Sequence, residues 1–444
     1  MSSGARRPVA ITGATLIDGS GRPPLVDATI VFDGDRIARV GPTMEGPPPE
    51  GAEIIDARGR FVIPGLTDMH VHVLGPDRWH SALFLAAGVT TVLDLGGQLP
   101  DLTALRDAIY AGTTPGPRLL YTGPFLEEGE PFAGFAHMAR RVDAARIEHA
   151  VDELADAGVH AIKLYVTITP QTATRACARA HERGLRVFMH QQETWGADAA
   201  GAGVDCVEHM MVFGALAPEA LRPTEPGRLT PFEYGGWMWR WLDGVDPRDD
   251  AVSRLFDRLI AADTALDPTL VLFSARPGAL GDDVGDTRMD DPERTPILPV
   301  LPPRVREDLV SRWAERRRAA TGASARAADR TRRGWEHLLA LVDRFHRAGR
   351  HRARRHRLSE RGDRLRLLAA PGAGAARARG PHADGRPASR DQPCGGAPRS
   401  RGRVRNDRPR TGRRPRDPRR RPAGRHPERQ AHRARDRPRP RLGA

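Results

Sequence analysis

The chain has 444 residues, a formal net charge of +14 and three cysteines. The charge is uneven: residues 351–444 hold 30 Arg, no Lys and 8 acidic residues, a net of +22, while residues 1–350 hold 40 basic and 48 acidic residues, a net of −8. Cys177, Cys206 and Cys394 lack the spacing of a disulfide framework or a zinc knuckle, no run of about 18 apolar residues is present to span a bilayer, and MSSGARRPVAITGATLIDG lacks the apolar core of a secretory signal, so a reducing, cytoplasmic setting is expected.

Residues 8–63 alternate short apolar runs with DG, SG and GD breaks, which predicts a small β-domain of hairpins over residues 1–62. From Phe61 the rhythm becomes strand, helix, strand, helix. The strand candidates are Gly65–Val73, Thr90–Gly96, Arg118–Pro124, Ala161–Val166, Arg186–Gln191, Cys206–Met210 and Thr269–Phe273. Helical patterns lie between most of them. In VDAARIEHAVDELADAG, Ile147, Val151 and Leu154 share one face, and Gly158 stands where a C-cap belongs. Short apolar strands alternating with helices imply a parallel sheet covered on both faces. Seven such units over residues 63–349 predict an α/β fold, a (β/α)8 TIM-like barrel short of its eighth strand. A doubly wound sheet is the alternative, and the strand count favours the barrel. After WEHLLALVDRFHRAG the periodicity ends. Residues 350–444 are rich in Arg, Pro, Gly and Ala and cannot bury enough apolar surface to order themselves, so a disordered basic tail is expected.

The chemistry-bearing residues stand at the ends of the predicted strands. Alternation places His70 and His72 of GLTDMHVHV on one face of the first strand. Lys163 lies in the fourth, His190 ends the fifth and His209 lies in the sixth. The C-terminal ends of barrel strands are where such folds carry their sites, and four imidazoles and an amine converging there read as a metal site. Singly, each His is more often a satisfied core or rim residue, and a lone Lys is as well a surface residue or a Schiff-base lysine. Lys163 is the only lysine in the chain. Arginine stays charged, whereas a lysine in an apolar, cation-rich pocket loses its proton. A neutral amine can add CO2 and become a carbamate, an anion with two oxygens able to bridge two divalent metals.

These motifs resemble the metal-dependent amidohydrolase superfamily, in particular its imidazolonepropionase-like and Xaa-Pro dipeptidase-like branch. PGLTDMHVHV, GVTTVLDLGG, AIKLYV, VFMHQQ, GVDCVEHM and DPTLVLF resemble that family's strands in order. ATLIDGSG and VFDGDRIARVGP resemble its β-sandwich domain, which C-terminal strands complete. The resemblance implies that His70 and His72 bind the more buried metal, that Lys163 as its carbamate bridges both, that His190 and His209 bind the second, and that the metal is zinc. It implies hydrolysis of an amide, a peptide or a cyclic C–N bond in a small-molecule or dipeptide-like substrate, and it is compatible with a homo-oligomer. Tyr165, Gln191 and Trp195 follow ligand strands and are either pocket-lining or packing residues. His137 stands near the place of a family Gly-Gly-His element. Residues 211–268, with GGWMWRWLDG, form a long insertion that is either a lid or a local core.

The family also carries an Asp at the end of an eighth strand, in a motif like GTD, and this chain has none. RHRARRHRL stands there instead. With GC-rich Arg codons, reading residues 350–357 one nucleotide later permits GTVLAGTD, and the same shift over Thr411–His426 permits PGADLVILDGDPLADI, similar to a closing sandwich strand. This predicts that the chain is out of frame from about residue 350 and impaired as written. Two rival readings are an Arg-rich nucleic-acid-binding protein and a non-catalytic relic. The tail's lack of Tyr, Phe and Trp weighs against the first.

Overall fold

Five strands open the chain: β1 (Val9–Leu16), β2 (Leu25–Asp33), β3 (Arg36–Pro42), β4 (Glu53–Asp56) and β5 (Phe61–Val62). They form one sheet in the order β3-β2-β1-β4, with β5 also beside β1. β2 runs antiparallel to β1 and β4 parallel to it. The predicted hairpins are therefore present as β1–β2 and β2–β3. The second layer of the expected sandwich is not seen among the described residues. Val26, Ile37, Ile54, Ile55 and Phe61 of this sheet are all exposed.

The computed structural model describes residues 7–73, 81–131, 135–209, 239–274, 299, 301–308, 310–311, 314 and 325–357. These all belong to the first of two units, Met1–Ala373 and Gly374–Ala444.

The remaining strands form a parallel row: β6 (Leu66–Val71), β7 (Val89–Asp94), β8 (Arg118–Tyr121), β9 (Phe125–Glu127), β11 (Ala161–Leu164), β12 (Arg186–His190), β13 (Cys206–Glu208) and β14 (Ala265–Asp267), with the short β10 (Ala139–Arg141) beside β9. The third predicted strand is broken into β8 and β9 at Gly123, whose φ of +71° suits glycine. Both pieces reach the fourth strand, since His160 N–H donates to Tyr121 C=O at 2.8 Å and Tyr165 N–H to Leu126 C=O at 3.0 Å. Seven parallel strand positions therefore follow one another from β6 to β14. No eighth strand joins β14 to β6 among the described residues.

The helices cover this row. α1 (Ser81–Ala86), α2 (Leu99–Tyr110), α3 (Ile147–Asp156), α4 (Pro170–Glu182), α5 (Gly196–Ala202) and α6 (Asp250–Ala261) alternate with the strands. α3 buries Ile147, Ala150, Val151 and Leu154, the face its periodicity predicts, and Gly158 beyond it has φ +77°. α4 starts with Pro170 in its first turn, capped by Thr169, whose hydroxyl accepts from Thr172 N–H.

Two expectations need correction. Thr269–Phe273 is not a strand. The seventh strand is Ala265–Asp267, and α7 (Leu270–Ser274) follows it. Pro268 supplies no N–H, Thr269 has φ +44°, and the four-residue apolar run Leu270–Phe273 does not by itself distinguish strand from helix. The second correction concerns the boundary at residue 350: α8 (Ala325–Arg357) runs through it. RHRARRHR contains neither Gly nor Pro, and its Arg and Ala favour helix. The rest of the expected disordered tail lies outside the described residues.

The Trp-rich insertion behaves as a local core where it is described. Trp239, Trp241 and Leu242 are buried in one cluster with Trp335, Leu338 and Leu341 of α8. A Cβ on Gly334 would lie 2.9 Å from Trp239, so the helix backbone lies directly against that ring. Leu338 is fully buried, and Leu338→Ala should cost about 2–5 kcal/mol. An unchanged urea midpoint and slope in that variant would show that α8 does not dock there.

Candidate metal centre

The C-terminal ends of β6, β11, β12, β13 and β14 bring the predicted histidines together. Ring centroids lie 5.4 Å apart for His70 and His72, 4.8 Å for His70 and His209, and 4.4 Å for His190 and His209. His70, His72, His190 and His209 thus form one cluster. Lys163, 1% exposed, lies in the adjacent β11, and its Nζ has no hydrogen-bond partner.

The backbone sets these rings in place. Asp68 Oδ1 accepts from His70 N–H at 3.1 Å. Buried Asp94, at the end of β7, accepts from Val73 N–H at 2.6 Å and Gly96 N–H at 2.9 Å, which ties the segment after His72 to the second strand. A Cβ on Gly96 would lie 2.8 Å from Phe125 and 3.2 Å from His72, so glycine permits the approach of both. His209 and Thr269 have φ of +61° and +44°. Both are unusual for residues with a side chain and cost on the order of 1–3 kcal/mol each, as strain at functional sites does. They are paired, with His209 Nδ1 and Thr269 Oγ1 2.7 Å apart.

Three Nδ1 atoms are therefore engaged from outside the cluster. His72 Nδ1 lies 3.3 Å from the Gly96 carbonyl, His209 Nδ1 meets Thr269, and His70 Nδ1 contacts Glu208. A carbonyl or carboxylate at Nδ1 fixes the tautomer that presents Nε2 as a ligand. Burial and the surrounding cationic groups push the His190 and His209 imidazoles well below their usual range. Burial also lowers the Lys163 amine. Neutral imidazoles and a readily deprotonated amine are the protonation states that metal ligation requires.

Two carboxylates were missing from the predicted set. Glu208 is fully buried, with one oxygen against His70 and the other, Oε1, without a partner. Asp267, at the end of β14, accepts from Thr269 N–H at 3.1 Å. Burial and then Glu208 raise the Asp267 carboxyl above its usual range. In register, His190 pairs with Glu208 and Glu208 with Asp267, so the three share a row across adjacent strands. One ligand atom each of His70, Glu208 and Asp267 lies within 4.8 Å of the others. The signal was an acidic residue closing an apolar strand, in CVEH and again in ALDP.

Of the pocket candidates, Tyr165 stacks on Phe125 at 4.1 Å and meets the edge of His190 at 4.7 Å. Gln191 is fully buried, and neither amide atom has a partner. Trp195 packs against the main core beside α5. His137 is exposed on a single 3-10 turn, and no ring contact joins it to the cluster among the described residues.

Residues 61–223 match the amidohydrolase family. They form an amidohydrolase-family domain. A dihydroorotase of Staphylococcus aureus strain Mu50 is 46% identical over 52 residues, 12% of each chain. An imidazolonepropionase of Micrococcus luteus is 32% identical over 169 residues, 34% of this chain and 39% of that one. The chain therefore spans well under half the length of these relatives. The solved bottromycin amidohydrolase shares the fold, with a TM-score of 0.50 at 24% identity, over 78% of this chain and 66% of that one. The family match covers every histidine of the cluster and Lys163. Asp267 lies beyond it.

Deeper in the amidohydrolase domain, buried Glu127 accepts from Thr167 Oγ1 at 2.8 Å, and burial raises its carboxyl to about 7 from 4.5. The folded state thus holds a proton that the unfolded state has released, and Glu127's contribution to stability is lost as pH rises from about 4.5 to about 7. Glu127→Gln should remove that loss. Denaturation across pH 4 to 8 should show the variant gaining on the parent up to about pH 7 and holding constant above it. A pH-independent difference would contradict the shift.

Proposed function

We propose that the chain is a metal-dependent amidohydrolase acting on an amide, peptide or cyclic C–N bond. The observation that carries this is the cluster of four imidazoles around the lone, buried, unpartnered lysine. His70 and His72 would hold one divalent metal and His190 and His209 a second, with zinc the first candidate for imidazole and carboxylate donors. A metal bound there supplies a water of lowered pKa and polarises the scissile carbonyl.

The chain's own groups do the rest. Low basicity keeps the His190 and His209 imidazoles uncharged at neutral pH. The neutral Lys163 amine would add to the carbon of CO2, one C=O π pair moving to oxygen as the N–C bond forms and one amine proton passing to water, to leave a carbamate anion with two oxygen donors. Gly96 carbonyl, Thr269 hydroxyl and Glu208 hold three rings in place. Tyr165 and Gln191 border the cluster as substrate wall, the former through its contact with His190 and the latter through its unpartnered amide. His137 and Trp195 stand as weaker candidates for that wall. The substrate is a small molecule or a dipeptide-like compound.

In this reading the sequence beyond about residue 350 is out of frame, and turnover by the chain as written is impaired because the general base of an eighth strand is missing. Support comes from the change from net −8 to net +22 and from the exposed apolar residues of the β1–β5 sheet. Resequencing the locus tests this: a well-supported frame encoding the Arg-rich tail, or stops throughout the shifted frame, would end it.

A frame-repaired chain with Zn2+ should hydrolyse members of a panel of acyl-proline dipeptides, N-acyl amino acids and lactams. Lys163→Arg cannot form a carbamate and places a permanent cation in the cluster, and it should lower kcat/KM by about 10²–10⁴-fold. Retention of full activity by that variant would rule out the carbamate.

A further inference from the structure

Seven strands already bring two carboxylates to the imidazole cluster. Glu208 is completely buried, and its Oε1 has no partner. Asp267 is its register neighbour on β14. Their ligand oxygens and a ring nitrogen of His70 lie within 4.8 Å of one another. The buried Lys163 amine, also without a hydrogen-bond partner, lies close enough to both carboxylates to interact electrostatically with them. Buried carboxylates are held by a metal or a full set of hydrogen bonds. Glu208 meets His70 and leaves Oε1 without a partner, while the half-buried Asp267 accepts from the Thr269 N–H.

We propose that Asp267, with Glu208 and His70, forms a divalent-cation site within the seven strands, so that Asp267 provides the acidic ligand that the resemblance assigns to an eighth strand. The site rests on the metal-dependent reading above but changes its consequence. The chain as written would bind a metal even though its turnover is impaired. Retention of metal and loss of turnover become separable properties. An oxygen-rich donor set of two carboxylates and one imidazole also accepts Mn2+ beside Zn2+ or Co2+ more readily than an all-imidazole set does.

The test uses the full chain as it exists. Metal-free protein is titrated with Co2+, Zn2+ and Mn2+ in CO2-depleted buffer, and bound metal is measured by atomic emission after gel filtration. Binding of Co2+ by the parent and at least about ten-fold weaker binding by both Asp267→Asn and Glu208→Gln are expected, with Asp267→Glu recovering part of the loss. Unchanged affinity in Asp267→Asn, with the parent still loaded, would overturn the site and leave the hydrolase reading standing. No metal on the parent or on the frame-repaired chain would remove both. Should the variants fail to fold, the infrared difference spectrum of the parent on Zn2+ binding decides. A shifted carboxylate stretch is expected without CO2, and changes in imidazole bands alone would overturn the proposal.

Discussion

Lys163 is 1% exposed, and its ammonium nitrogen has no hydrogen-bond partner. Taking such a group out of water favours its neutral form, and the neighbouring imidazoles are pushed the same way. Each protonation at the cluster raises the cost of the next. The chain therefore holds several lone pairs and almost no compensating positive charge beside two carboxylates. This imbalance, more than any single residue, makes the end of the strand row a place for a cation.

The backbone is arranged to maintain that imbalance. Parallel strands place the cluster at one end, because Glu208 aligns with His190 on one side and Asp267 on the other. Asp94 fastens the chain after His72 to the neighbouring strand. His209 leaves β13 in a left-handed conformation, and Thr269 leaves β14 in another, so that the two side chains meet. Local propensity opposes both conformations. They persist because packing and the contact between the two side chains hold them.

Much of this was legible in the sequence. Strand ends were marked by His70, His72, His190 and His209, and α3 by the spacing of its apolar face. What was missed follows from the limits of pattern. An apolar run of four residues shortly after a proline is ambiguous, and LVLFS folded as helix. Glu208 precedes a more conspicuous histidine, and Asp267 precedes a proline that suggests a turn. Their importance depends on register between strands 59 residues apart in sequence, which no local spacing reveals. The Trp-rich insertion could be read as lid or core. Only the packing of Trp239 and Trp241 against α8 decided for core at those positions.

Two surfaces lack cover among the described residues. β14 and β6 each end a parallel row with no neighbour beyond it among the described residues, and the β1–β5 sheet exposes Val26, Ile37, Ile54, Ile55 and Phe61. A strand edge needs backbone partners, and an apolar sheet face needs apolar cover. β-branched and aromatic residues supply such cover most readily, yet residues 358–444 contain one Val, no Ile and no aromatic Phe, Tyr or Trp. The composition of that segment cannot meet either demand. The shift of reading frame proposed above bears on both surfaces at once, because it would replace the Arg-rich composition of that segment.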